Sequence, residues 1–150
     1  MLSNSVHLTP VEHMPAKHDI DKANKLIITT WGGEASDNEL IAAMSRYQQE
    51  IRCNSVYQLY NELLDFSHTT KFDLTTKGIK EIGKIAQQSD RPDVQTKVAI
   101  IVNSAFSFGL SKMYISYRNL LPNSNKELKA FKNRTDAFDW LTHAGETSNS

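Results

Sequence analysis

Short runs of β-branched, aromatic and aliphatic residues alternate along this chain with longer stretches whose apolar positions recur every three or four residues. Alternation of that kind predicts a single α/β domain with a mixed, mostly parallel sheet of about five strands flanked by about four helices. Lys17 to Ile20 and Lys25 to Trp31 read as the first two strands, and the polar Asp21-Lys22-Ala23-Asn24 between them suits an antiparallel hairpin. Gly32-Gly33 ends the second strand. Ser36-Asp37-Asn38-Glu39 then has the spacing of a capping box, and the helix it opens carries Leu40, Ala43, Met44, Tyr47 and Ile51 on one face. Val56 to Phe66 predicts a third strand, followed by a helix with Ile79, Ile82, Ile85 and Ala86. Lys97 to Asn103 predicts the most buried strand, Ala105 to Leu121 a long helix, and Lys126 to Lys132 a last strand. Thr135 is the expected cap of a final helix bearing Ala137, Trp140 and Leu141. The predicted order is β-β-α-β-α-β-α-β-α.

The long helix has two apolar stripes. At about 100° per residue, Phe106, Leu110, Met113, Tyr117 and Leu120 cluster on one side, which predicts the core face. Phe108 and Ile115 fall on the opposite side, next to Lys112, and are expected to form a surface for self-association or for a protein partner.

Composition narrows the functional classes. With 39% hydrophobic and 23% charged residues, the middle of the chain is expected to fold rather than stay disordered. Seventeen basic residues cancel seventeen acidic ones, so no broad positive field favours nucleic acid or an anionic membrane. The longest aliphatic run, Val98 to Val102, is far short of the roughly 20 residues that span a bilayer, so no integral membrane segment is expected. The first residues lack a secretory pattern, which predicts a cytoplasmic protein, and the lone Cys53 is expected to be a reduced thiol. Polar composition predicts flexible segments at residues 1–15 and 144–150 around a domain at 16–143.

The segment LLDFSHTTKFDLTTKG, the following KVAIIVNSAFSFGLSKM and the ending KAFKNRTDAFDWL together resemble the SpoIIAA-like branch of the STAS superfamily, from about Lys17 to Leu141. The resemblance implies a small domain that acts by binding rather than by chemistry, a non-enzymatic regulatory or protein-interaction module. Regulatory members carry a phosphorylated serine at the start of the second helix. The similar architecture of CRAL-TRIO lipid carriers implies the alternative, a carrier or sensor of a lipid or another apolar small molecule. Here Asp73 is followed by Leu74 where the switch has its serine, and the nearby hydroxyls are Thr75 and Thr76, the phosphorylation candidates. Lys77 stands where the family's turn has glycine, with Gly78 next.

Phosphate on a helix N-terminus is favoured by free N–H groups and the macrodipole, yet Asp73 or Thr75 equally suits an ordinary N-cap. Ser67 and His68 are neighbours that an extended strand points to opposite faces, and no GxSxG elbow is present, so no catalytic residue is expected. The histidines, at 7, 13, 18, 68 and 143, lack metal-ligand spacing, and Gly32-Gly33 lacks the rest of a phosphate-binding motif, so neither metal nor cofactor is expected. Ligands of open α/β sheets sit at the carboxyl ends of the strands. That rule brings together Trp31, Ser67, His68, Asn103 and Ser104 as the candidate pocket for a small molecule.

Overall fold

The chain enters its sheet as a hairpin. β1 (Ala16–Asp21) pairs antiparallel with β2 (Leu26–Trp31), and the Asp21 carboxylate accepts from the Asn24 backbone at 3.1 Å and from its side-chain amide at 2.9 Å. Lys25 takes the left-handed conformation the turn requires, with φ of 52°. The computed structural model describes residues 15–143. Of the segments expected to be flexible, 1–15 and 144–150, all but Pro15 lies outside the described residues. The Pro15 carbonyl accepts from the Gly32 N–H at 3.0 Å.

β4 (Asn61–Asp65), β6 (Thr96–Ile101) and β7 (Lys126–Phe131) complete a five-stranded sheet in the order β1-β2-β4-β6-β7, with every pairing parallel except the hairpin. The helices are α1 (Asp37–Tyr47), α2 (Thr76–Ala86), α3 (Ala105–Leu120) and α4 (Arg134–Thr142). Strand side chains alternate between faces. Leu26, Leu63, Ala99 and Ile101 therefore meet Ala137 and Leu141 of α4 on one face. Ile27, Leu64, Val98, Ile100 and Val102 point the other way, toward α1, α2 and α3.

The Ser36 capping box is present as its spacing predicts: Ser36 Oγ accepts from Glu39 N–H, and the Glu39 carboxylate accepts from Ser36 N–H. Other expectations are corrected. A second sheet of two short parallel strands, β3 (Gly33–Ser36) and β5 (Thr69–Asp73), follows the Gly32 break and the turn after β4. α1 runs on into a π-helical turn, Gln48–Arg52, whose wider winding brings Gln48 and Arg52 inward. The strand expected over Val56 to Phe66 shortens to β4, because Tyr57–Leu59 forms a 3₁₀ turn held by Arg52 Nη1, which donates to the Tyr57 carbonyl. Asn133, not Thr135, caps α4, its Oδ1 accepting from Asp136 N–H at 2.8 Å.

The largest correction concerns α3. Its inward stripe is Ser107, Ser111 and Arg118, all buried, with Tyr114 half-buried among them, one residue round from the predicted stripe and midway between the two apolar rows. Phe108 and Ile115, expected on the surface, flank that stripe and pack on Val98, Ile100 and Val102, while exposed Lys112 lies over the Phe108 ring at 5.6 Å. Phe106, Met113 and Leu120, expected in the core, are 63%, 43% and 82% exposed. Hydrogen bonding explains the rotation. The Ser107 and Ser111 hydroxyls donate to carbonyls one turn back, so they are satisfied when buried, and the Arg118 guanidinium meets the Asp90 carboxylate at 2.8 and 2.9 Å. Small serines also let α3 approach the sheet. Its neighbour α2 comes close as well: a Cβ on Gly83 would stand 2.8 Å from the Tyr117 ring.

Candidate ligand cavity

Register lays down the floor of a cavity on the three-helix face. His18 lies opposite Thr29, Thr29 opposite Leu64, and Leu64 opposite Ile100, forming one row across four strands. Two residues further toward the carboxyl ends, Trp31, Phe66 and Val102 extend it. α1 contributes Leu40, Ala43, Met44 and Tyr47, α2 contributes Ile79 and Ile82, and α3 contributes Ser107, Leu110, Ser111 and Tyr114. Together they line a partly open cavity of about 110 Å³ with an almost wholly apolar wall.

The polar groups on this wall are already engaged or held neutral. Trp31 Nε1 donates to the Glu34 carbonyl at 3.0 Å, so the strand β3 that follows the glycines holds the indole in place. Its ring packs on Phe66 at 6.0 Å, which packs on Phe72 of β5 at 5.9 Å. His18 Nδ1 is 2.8 Å from Thr29 Oγ1, and its ring lies 5.0 Å from that of Tyr47. Burial pushes the His18 pKa below its ordinary value, Arg46 helps, and Glu50 and Asp19 oppose. Burial also pushes the Tyr114 phenol up to about 12.

Beside the cavity on the same face of the sheet, toward the amino ends of the strands, lies a buried charged layer. The Glu62 carboxylate accepts from Tyr47 Oη at 2.9 Å and from Lys126 Nζ at 2.7 Å, with Arg52 Nη2 at 3.6 Å. Burial alone would raise the Glu62 pKa, but the Lys126 and Arg52 charges and these hydrogen bonds outweigh it and bring the value to about 2. Burial and the neighbouring Glu62 charge hold the Tyr47 phenol well above its ordinary range.

Of the pocket residues expected from strand ends, only Trp31 lines this cavity. Ser67, His68, Asn103 and Ser104 form a joint beside it. Asn103 Nδ2 donates to the Ser67 and Thr69 carbonyls at 3.0 and 3.2 Å, Ser67 N–H donates to Asp65 Oδ1, Ser104 caps α3 reciprocally with Ser107, and His68 is exposed. Thr75 is the N-cap of α2: its Oγ1 accepts from Gly78 N–H, while its N–H and O–H donate to the two Asp37 carboxylate oxygens at 3.0 and 2.6 Å. Gly78 leaves room for that carboxylate, which a Cβ there would strike. Thr76 is the exposed first residue of α2. Leu74, the residue after Asp73, lies on the cavity wall.

Leu74 and Glu62 are functional candidates that pattern reading passed over. Each had a signal, since Leu74 is an isolated aliphatic residue in the polar run TTKFDLTTKG and Glu62 is a charge inside the strand NELLD. Among the described residues, no group of three or more His, Cys, Asp or Glu side chains is arranged to hold a metal ion, and no helix is long and apolar enough to cross a membrane.

No protein-family model matches this chain, and no curated protein matches it. Among solved structures it is similar to an uncharacterized protein of the DUF3478 family with a SpoIIAA-like fold from Shewanella loihica PV-4. The TM-score is 0.52 and the identity 13%, covering 84% of this chain and 91% of that one. The chain therefore has a SpoIIAA-like α/β fold.

Proposed function

We propose that this chain is a non-enzymatic binding module whose ligand is an apolar small molecule, held between the sheet and α1, α2 and α3. The cavity carries the reading: about 110 Å³ of apolar space is comparable with the ~150 Å³ engineered cavity that admits benzene. The hydroxyls on its wall favour binding over catalysis, because Ser107 and Ser111 donate back into their own helix and Tyr114 stays protonated. Leu74 supports a role distinct from the phosphorylated switch, since the switch position is part of the apolar wall. Native mass spectrometry of protein purified from its own cells should show a bound small-molecule mass. Substituting Ala43→Phe, which fills the cavity from α1, should remove it. An unliganded mass, together with no binding of benzene or hexanol in solution, would sink the proposal.

A regulatory or protein-interaction module is the second reading. The exposed row Phe106, Met113 and Leu120 on α3 favours it. Light scattering separates the two, because Met113→Asp with Leu120→Asp should lower an associated mass under this reading and leave cavity binding unchanged.

A further inference from the structure

The charged layer beside the cavity does not balance. On the three-helix side of the sheet, the buried charges are those of Arg52, Arg118 and Lys126 against Glu62 and Asp90, which leaves one positive charge over. Lys97 and Asp65 are buried too, but on the opposite face, where Lys97 Nζ donates to the Trp140 carbonyl and Arg134 pairs with Asp65. An uncompensated cation in the interior is costly unless an anion or strong acceptor reaches it. Arg118 has a vacant donor for such a partner. Its side chain is 2% exposed, Nη1 and Nη2 are taken by Asp90, and Nε is buried with no hydrogen-bond acceptor.

Arg118 and Lys126 line a niche of about 20 Å³, enough for one oxygen-bearing group. Met44, Tyr47, Leu64 and Tyr114 are walls both of this niche and of the apolar cavity, so the two spaces adjoin. Strand β4 and the residue that follows it give the step between them. Glu62 faces the niche, Leu64 both spaces and Phe66 the cavity, at two-residue intervals of about 7 Å.

We infer that the ligand is a small apolar carboxylate, its acid group accepting from Arg118 Nε–H beside Lys126 and its hydrocarbon body in the cavity. The inference rests on the cavity reading and names the chemistry of what the cavity takes. The apolar space suits a body of roughly five or six carbons or a single ring, by comparison with the benzene-sized cavity. Glu62 faces the same niche and opposes an anion, but Tyr47, Lys126 and Arg52 already engage its oxygens; Arg52 Nε and Nη2 also lack a hydrogen-bond partner, yet Arg52 is not on the niche wall, so Arg118 Nε–H is the donor there for the ligand. Tyr114 adjoins the niche as a protonated phenol beside the Arg118 guanidinium, where its oxygen is the acceptor a ligand carboxylate has to outcompete.

Matched probes of equal length test this in the wild-type protein. Hexanoate and 1-hexanol are titrated separately and followed by NMR, reading the Arg118 Nε–H resonance and the Ile100 and Val102 methyls. Hexanoate is expected to bind about tenfold or more tightly than hexanol, as a charge-assisted hydrogen bond implies, and to shift the Arg118 resonance. In Arg118→Lys, which keeps the charge beside Asp90 and removes Nε–H, the preference should fall while hexanol binding persists and reports an intact cavity. If hexanol binds as well as hexanoate in the wild type, or bound hexanoate leaves Arg118 Nε–H unmoved, the carboxylate assignment is wrong and the cavity reading stands. If neither probe nor benzene perturbs the Ile100 and Val102 methyls, both fall.

Discussion

On the α4 side of the sheet, Leu26, Leu63, Ala99 and Ile101 close against Ala137 and Leu141 in one apolar cluster, and each buried charge there has its partner, Lys97 donating to the Trp140 carbonyl and Asp65 pairing with Arg134. On the other side the same strands present Thr29, Leu64 and Ile100 to a cavity and Glu62 to buried cations. One strand serves both, since Leu63 faces the packed side while Glu62 and Leu64 face the hollow one. The packed face supplies cohesion. The hollow face gives up contact energy, because atoms that border a void lack partners there. A small domain can hold such a void when its opposite face is closed, and this contrast is what experiments should try to break.

The largest effect is expected from the charged layer. Glu62→Leu strands Lys126 and Arg52 in the interior and should cost about 3–5 kcal/mol, measured by urea unfolding. Next, Leu63→Ala on the packed face should cost about 3 kcal/mol, and Leu64→Ala on the hollow face distinctly less, because Leu64 already borders empty space. Equal costs for this adjacent pair would erase the proposed difference between the faces.

Acid should weaken the fold with two onsets, one for His18 and one for Glu62. The folded pKa of His18 is lowered, so its contribution is fully present above the unfolded value of 6.5 and is lost as pH falls through that value toward the folded one. Glu62 is also lowered, from 4.5 to about 2, so its contribution is present above 4.5 and lost as pH falls from there to about 2. Stability measured against pH should therefore show an early loss that His18→Phe abolishes and a later one that it leaves. The smallest effect is expected at the α2 cap, where Thr75→Ala should cost about 1 kcal/mol in thermal or urea unfolding. A Thr75→Ser variant should restore most of it, since the serine hydroxyl reaches the same Gly78 and Asp37 partners.

Much of the fold was legible because its causes are local. The β1–β2 hairpin follows from a polar turn between two β-type runs, and the Ser36 box from a spacing of three residues. β6 is buried along its whole length, as its aliphatic run implies. Nothing local marks β3 and β5, two short segments that become strands by pairing with each other. The site was less legible. Trp31 was placed on it by the strand-end rule, but Leu74, Ile79, Ile82 and Leu110 carry no mark that separates a cavity wall from ordinary core.

α3 shows where local pattern stops. Its sequence by itself determined that Ala105 to Leu120 would be a helix with apolar rows at Phe106–Met113–Leu120 and Phe108–Ile115. Which row faces inward was decided by tertiary structure, through Asp90, which lies in a distant loop and draws Arg118 into the interior. Periodicity ranks faces by hydrophobicity, whereas burial of a charge depends on whether a partner of opposite sign is already there. The same reason applies to the cavity. Residue types determine that its walls are apolar, but a void exists only where side chains from separate elements meet and fail to fill the space between them.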